Sequence, residues 1–391
     1  MDYDLAIVGG GISGLSLAHG AARRGWRVLL LEAEPQVGGA LHTYRCGAFW
    51  LELGAHTLFN SYGTLLDMTD ATGLTPRVLQ RRRLSFRLWD GARDISIAAS
   101  LHYPELLRGL LRVPFLDRSE HTAADYFSAL VGPRNFTEVI GPALDAVICQ
   151  PARDFPADVL FQRKPRRRDV PRSFALPGGM GTLADALAAT PNVEVHPGVH
   201  VTRIVRDGGG FRVFAAQGDW RADRIGLATP PTEAAMLLAG VRPGLSEQLR
   251  HIGVARVESV GVVVRARDVD LPAVAGLIGR GQPFYSVVSR DVVPGGEWRG
   301  FTFHFRPGAL GRDDKLELAA HVLGTTPAGF SEVAESDHVL PALRSGHTTL
   351  RGRIDALLAR SPVLVTGNYF EGLSIEACAA RSMAELVRAH G

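Results

Sequence analysis

Apolar and polar positions divide this chain into stretches of different period. Near the N-terminus, Asp4-Leu-Ala-Ile-Val8 and Val28-Leu-Leu-Leu31 are short unbroken apolar runs, which read as strands buried on both faces. A glycine turn and a helix separate them. Downstream, residues 180–189 read as a helix, and 193–195, 199–205, 211–216 and 225–228 read as strands with glycine turns between them. Residues 76–177 read as mainly helical after a short hairpin around Trp89-Asp90-Gly91. Residues 232–350 hold alternating, β-rich runs at 258–267, 285–289 and 300–305. The tail gives a strand from Val363, an open turn bounded by Gly367 and Gly372, and a final helix. Together these elements predict an α/β fold.

The opening segment carries the most chemistry. Strand, Gly9-Gly10-Gly11-Ile12-Ser13-Gly14, helix, strand and acid form the arrangement that binds the ADP half of a dinucleotide. Gly9 allows the tight turn, Gly11 lets a pyrophosphate touch bare backbone, and Gly14 lets the helix pack close to the strand. The helix start at Ile12 and Ser13 faces the phosphates with its positive end. Glu32, followed by Ala33, offers a carboxylate to ribose hydroxyls and disfavours a 2′-phosphate. A second glycine pair, Gly38-Gly39-Ala40-Leu41, can approach the same pyrophosphate from the other side, and another strand ends at Gly54-Ala55-His56. In the tail, Gly367-Asn368 and Leu373-Ser374-Ile375 lead into a helix whose dipole would stabilise charge on the N1–C2 carbonyl edge of a reduced flavin. These features select FAD over NAD. Cys46, Cys149 and Cys378 sit in no attachment motif, so the expected FAD is non-covalent.

The same residues carry a family resemblance. The chain resembles the flavin-containing amine oxidase superfamily, and within it the protoporphyrinogen oxidase branch. The likeness runs through the N-terminal fingerprint, Leu51-Glu-Leu-Gly-Ala-His56, Ser173-Phe-Ala-Leu-Pro-Gly-Gly-Met-Gly-Thr-Leu183, Ala228-Thr229-Pro-Pro231, Leu340-Pro-Ala-Leu-Arg-Ser-Gly-His347 and the tail from Gly367 to Ser382. It implies an FAD-binding Rossmann-type, glutathione-reductase-like domain built from residues 1–75, 178–231 and 351–391. It also implies a mixed α+β substrate domain made of a helical insertion, 76–177, and a sheet, 232–350. Backbone near Val201 would reach the adenine, and Thr229 would lie on the cofactor. The implied activity is desaturation or aromatisation of a small hydrophobic substrate by hydride transfer to flavin, with O2 as acceptor.

The chain departs from that pattern in two places. The superfamily's amine oxidases usually hold a lysine in the strand corresponding to 255–264, and none is present. Ser85 stands before Phe86 where the porphyrinogen oxidases often place a basic residue. Arg83 and Arg87 are the candidate replacements, able in principle to pair bidentately with a substrate carboxylate. A second reading is therefore a flavin oxidase forming C=C or C=N bonds on a smaller or carrier-bound substrate. A third is a flavin-binding assembly protein without turnover.

Candidate catalytic side chains are His56, His304, His347 and Tyr369. Each histidine has a structural alternative, a hydrogen bond to backbone. Tyr369 and Phe370 either contact flavin or substrate, Phe370 then being a substrate-binding residue, or fill the core. His196 and His200 flank Pro197-Gly198, and no metal site is expected.

Composition narrows the setting. The chain has 391 residues, 46% of them hydrophobic and 21% charged, enough for two domains with large cores. Three widely spaced cysteines argue against a disulfide framework and fit a reducing compartment. With no leader in view and no apolar run of about 18 residues, the expected location is cytoplasmic, with contact to a membrane periphery as an alternative. A net charge of +3 is too small to point to nucleic acid. Residues 101–116 suggest a basic amphipathic helix limited by Pro104 and Pro114, either packed on the substrate domain or lying on a membrane surface. The run 163–168 is a solvated basic loop or a contact for a carrier or partner protein. Lysine occurs only at 164 and 315.

Overall fold

A computed structural model describes residues 2–111, 116–118, 121–160 and 164–390. The chain opens with β1 (Tyr3–Val8), α1 (Ile12–Ala22), β2 (Val28–Leu31) and a hairpin of β3 (Thr43–Cys46) and β4 (Phe49–Glu52). Next come β5 (Leu58–Phe59), α2 (Gly63–Ala71), β6 (Leu79–Gln80), β7 (Phe86–Trp89) and β8 (Asp94–Ser96). A helical stretch holds α3 (Tyr103–Leu110), α4 (Ala123–Val131), α5 (Pro133–Asn135) and α6 (Gly141–Ile148). The chain continues through β9 (Ser173–Ala175), α7 (Gly181–Ala188), β10 (Val193–His196), β11 (Val201–Asp207), β12 (Gly210–Ala215), β13 (Gly218–Leu227), α8 (Pro231–Leu238) and α9 (Pro243–Arg250). It finishes with β14 (Gly253–Arg265), β15 (Gly276–Gly279), β16 (Phe284–Ser289), β17 (Trp298–Phe305), α10 (Arg312–Leu323), β18 (Phe330–Ala342), α11 (His347–Leu358), β19 (Val363–Val365) and α12 (Ile375–His390).

The first large sheet runs β10-β2-β1-β13-β12-β11, with β19 joined to β13. β10, β2, β1, β13 and β19 pair in parallel, while β11, β12 and β13 form an antiparallel meander. Leu5 to Val8 and all of β2 are buried, as strands covered on both faces must be. α1 is buried along its whole length, between this sheet and α7 and α12. Gly20 marks the closest approach to α12: a Cβ there would lie 2.8 Å from the Met383 sulfur. Ser382 Oγ donates to Ser13 O at 2.8 Å, which ties the last helix to the start of the first. Glu376, in the first turn of α12, accepts from Thr64 N and Leu65 N at 3.0 Å each and so satisfies orphan donors at the start of α2.

The second large sheet runs β18-β14-β17-β16-β15-β7-β8 and is antiparallel except between β15 and β7. Segments from both halves of the chain therefore share it. Strand alternation divides β17 between two faces. Phe301, Phe303 and Phe305 pack with Ala319, Val322 and Leu323 of α10. Gly300, Thr302 and His304 occupy the other face, against which β4 presses. A Cβ at Gly300 would sit 2.9 Å from Leu51 Cδ1, so only glycine permits that approach.

α3 is shorter than the 101–116 expectation, and residues 112–115 lie outside the described residues. It closes on α4 at Gly109, where a Cβ would run into Leu130 O, and it leaves Tyr103, Leu107 and Leu111 exposed. In the basic run, Arg167 pairs with Asp70 and Asp169, while Arg163 is outside the described residues. Among the described residues, no helix is long and apolar enough to cross a membrane.

Candidate functional site

The site starts where β1 gives way to α1. Gly9 turns with φ +102°, and a Cβ on it would meet Ala228 O at 2.7 Å. A Cβ on Gly14 would run into Gly9 O, so helix and strand approach as the sequence requires. Gly11 is different. Its φ of −70° suits any residue, and a Cβ there would find only Gly39 Cα, at 3.9 Å. Among the described residues no other atom comes within 4 Å of that Cβ position. The second glycine turn forms the opposite wall: Gly38 N donates to Gly10 O at 2.9 Å, and Gly39 adopts φ +54° with room for no side chain toward Gly11. Leu41 is buried behind it, and Ala55 N donates to Ala40 O at 2.8 Å, which fastens Gly54-Ala55-His56 to this wall.

Glu32 leaves the tip of β2 with its carboxylate turned back to the loop. Oε2 accepts from Gly10 N, and Oε1 accepts from Glu34 N at 2.9 Å. Val199 N donates to Glu32 O at 2.7 Å, so the strand beginning at the buried Val201 starts beside the acid. Ala33 is exposed, and Ile12 and Ser13 are buried at the start of α1. Ala228 N donates to Val8 O and Thr366 N to Leu227 O, which brings Thr229 and Gly367 to the same end of the sheet. Ser374 Oγ accepts from Ala377 N at 3.1 Å and starts α12 at Ile375; Asn368 and Leu373 are partly exposed near it. The glycine cradle at the start of the chain and the helix mouth at its end thus lie together. A two-sided wall without side chains, a helix N-terminus and an adjacent carboxylate fit a dinucleotide pyrophosphate and ribose.

Polar side chains line one face of the second sheet. Ser336, Ser259, His304 and Ser286 fall in register across β18, β14, β17 and β16. Ser259 Oγ and His304 Nδ1 are 2.9 Å apart, both buried. His42 Nδ1 lies 3.0 Å from Ser336 Oγ, and His338 Nε2 donates to Leu53 O at 3.1 Å. Burial pushes His304 down to about 3, with His56 and His338 adding to the effect. Burial and then Arg81 push His56 down to about 4. These imidazoles are neutral at pH 7.

The other expected residues are placed elsewhere. His347 is buried and its Nε2 donates to Phe370 O at 3.4 Å, so it holds the 369–370 turn. Tyr369 and Phe370 are fully buried, their ring centroids 4.9 Å apart, and Arg381 covers Phe370 at 3.8 Å. The structure gives these two rings the core-packing alternative rather than an open cleft. The Tyr369 hydroxyl has no hydrogen-bond partner among the described residues, and burial raises its pKa. Arg83 is exposed and Arg87 is ion-paired with Asp94, so neither converges on the site.

The guanidinium that turns inward is Arg81. With Arg290, Glu52, His56, Trp50 and Thr302 it lines a cavity of about 30 Å³. Thr302 Oγ1 donates to Glu52 O at 2.6 Å and holds β4 to the sheet. Burial pushes Glu52 up to about 7, against hydrogen bonds from Thr43 Oγ1 at 2.6 Å and Met180 N at 2.8 Å. Burial also lowers Arg81 and Arg290 to about 10 each. Sequence reasoning missed Arg81, Arg290 and Glu52 as site residues. Glu52 offered one signal, an acid inside the apolar run Leu51-Glu-Leu53. Arg290 offered none.

Comparison with known proteins fits this geometry. An L-amino acid dehydrogenase from Synechocystis sp. is 23% identical over 63% of this chain and 60% of its own length. The flavin-dependent L-tryptophan oxidase RebO of Lentzea aerocolonigenes is 26% identical over 51% of each chain. The chain thus spans half to three fifths of the length of these relatives. A candidate protoporphyrinogen oxidase from Exiguobacterium sp. 255-15 has the same fold, with a TM-score of 0.81 at 18% identity over 99% of both chains. Residues 12–324 match the flavin containing amine oxidoreductase family. With most of its length inside that match, this chain belongs to the flavin containing amine oxidoreductase family, and its fold is that of these structures, a Rossmann-like domain joined to a second domain.

Proposed function

We propose that the protein is an FAD-dependent oxidase that desaturates or aromatises a small hydrophobic substrate, in the manner of a protoporphyrinogen oxidase, with O2 as acceptor and FAD held non-covalently. One observation carries the reading: the bare cradle of Gly9, Gly11 and Gly39 is fastened, through Ala40 and Ala55, to His56, which neighbours the buried rung of Ser259 and His304. FAD, when bound, supplies a hydride acceptor. The chain's own part is to grip the dinucleotide, to keep water from the reacting face, and to hold a neutral imidazole there. The Ser259 hydroxyl pairs with His304 Nδ1 and fixes the orientation of that ring.

Lysine placement supports desaturation over lysine-assisted amine oxidation. Lys315 pairs with Glu258 and lies over Phe305, on the far face of the sheet. The names of the two amino-acid-acting relatives favour a second reading, C=N formation on a smaller donor. The exposed Tyr103, Leu107 and Leu111 support membrane-surface contact as part of the proposal.

Anaerobic mixing separates these readings. Bleaching of the flavin by protoporphyrinogen, with recovery in air, supports the first. Bleaching only by a small amine or amino-acid donor supports the second. A flavin that no donor reduces returns the assembly-protein alternative and overturns both.

A further inference from the structure

The chain's positive charge is gathered in one place. Residues 57–83 and 164–175 hold nine basic side chains against three carboxyls, a surplus of six, whereas the whole chain has a surplus of three. The rest of the chain is therefore net negative. The two stretches are distant in sequence and meet in a small sheet ordered β5-β9-β6, where Leu58 pairs with Phe174 and Leu79 with Ala175. Asn60 fastens them further. Its N donates to Arg172 O at 3.1 Å, and its Nδ2 donates to Arg167 O at 2.7 Å. Arg77, Arg82, Arg83, Arg166, Arg168 and Arg172 are exposed, and none of them forms an ion pair among the described residues. Arg167 takes both Asp70 and Asp169, which leaves Asp67 as the one carboxyl of these stretches without a cation there. Phe59, 39% exposed, stands opposite Ser173 in the ladder and so beside Arg172.

This patch adjoins the helix mouth at the end of the chain. Just before it in sequence, Val159 packs over the Gly372 turn, where a Cβ would lie 2.8 Å from Val159 Cγ1. Burial pushes the Cys378 thiol up to about 11, and the Lys164 ammonium works against that shift, so the charge is felt in the first turn of α12. Arginines spread over an open face, rather than converging in a cavity, suit an anionic macromolecule more than a small anion. Arginine with an exposed aromatic is the composition of a protein interface. The patch is also bounded. A long polyanion or an anionic membrane would run on over the net negative remainder of the chain, and a compact partner would not. We propose that this patch docks a small carrier protein with an acidic face, which presents a tethered substrate at the mouth beside α12. Docking depends on the patch alone, whereas delivery rests on the oxidase reading.

The test is fluorescence anisotropy of a labelled holo acyl carrier protein, a small acidic protein, titrated with the FAD-loaded protein. Saturable binding that weakens as salt rises is expected. Arg168→Glu combined with Arg172→Glu should weaken it about tenfold or more, because each reversal replaces an attraction with a repulsion. Arg203→Glu combined with Arg206→Glu alters the net charge equally, but on β11, the edge strand of the first sheet, where both arginines are exposed. That pair should leave the affinity within about twofold. Native melting and flavin spectra confirm that both double variants are folded. Absence of saturable binding, equal weakening by the two pairs, or equally tight binding of a DNA duplex or of phosphatidylserine vesicles overturns the proposal. The oxidase reading fails separately. A flavin reduced by free donors in a protein indifferent to the carrier sinks only the docking. Carrier binding that depends on Arg168 and Arg172, beside a flavin that no donor reduces, sinks only the oxidase.

Discussion

Gly11 and Gly14 lie one turn apart and should fail in different ways when each becomes alanine. A Cβ at Gly14 runs into Gly9 O and sits 3.3 Å from Ala228 Cβ, so α1 must move off the sheet. Such overpacking costs about 1–3 kcal/mol, less roughly 1 kcal/mol regained in helix propensity. The variant should melt a few degrees lower without FAD and bind FAD poorly because the helix mouth has shifted. A Cβ at Gly11 meets only Gly39 Cα at 3.9 Å, and its φ of −70° is open to alanine. The protein without FAD should lose no more than about 1 kcal/mol, the difference between glycine and alanine as an N-cap. That Cβ instead enters the space assigned to the pyrophosphate, and the same overpacking range corresponds to about 5- to 150-fold weaker FAD binding. Quenching of flavin fluorescence during titration gives the affinity, and melting of the FAD-free proteins gives the stability. A Gly11→Ala protein that binds FAD as tightly as the parent would show that the phosphates do not lie there.

Glu32→Ala removes a carboxylate that accepts from two backbone N–H groups, each worth about 1.5–3 kcal/mol. FAD affinity should fall at least tenfold, and an unchanged titration refutes the assignment. Glu385→Ala leaves Arg381 and Arg388 without their buried partner and should cost about 3–5 kcal/mol by urea unfolding. Stability should also fall with acid. His56 and His304, folded at about 4 and 3 against 6.5 unfolded, stay neutral while the unfolded chain takes up protons. Each site therefore loses about 1.4 kcal/mol per pH unit as pH falls below 6.5. Glu52, folded at about 7 against 4.5 unfolded, acts in the opposite sense from pH 7 to 4.5. The net expectation is a loss of about 1.4 kcal/mol per unit between pH 6.5 and 4.5. Urea midpoints that stay level or rise across that window refute it.

What the sequence disclosed was what short-range pattern can encode. The β1–α1–β2 unit and Glu32 were legible because turn, helix, strand and acid follow one another without interruption, even though Gly9 answers to the distant Ala228. The face taken by His304 was not. Alternation sorts β17 into two sets, and only its pairing with β14 and β16, and the weight of α10 behind Phe301, Phe303 and Phe305, decides which set turns inward. Arg83 and Arg87 were chosen as the basic residues on either side of Ser85, where the resemblance places a base. The strand begins at Phe86, and the irregular backbone before it turns Arg81 inward. Phe370 looked available because its turn is glycine-bounded, yet Arg381 of α12 closes over it.

The cost of this arrangement is itself an argument about use. A core of this size could have filled the space between β4 and the second sheet with aliphatic side chains, as it does around Leu51, Leu53 and Val263. Instead the chain buries His304, Ser259 and Ser286 in one rung and sets Arg81, Arg290 and Glu52 at its edge. Replacing buried ionic groups with apolar ones is often neutral or stabilising, so fold stability alone gives no reason to keep them. Burial also shifts the protonation of this set, Glu52 upward and Arg290 and His304 downward, whereas the buried Glu385 carboxylate of α12 sits between Arg381 and Arg388. Ionisable groups with shifted protonation, gathered in one cleft rather than replaced by aliphatic side chains, mark the place where a ligand would complete the balance.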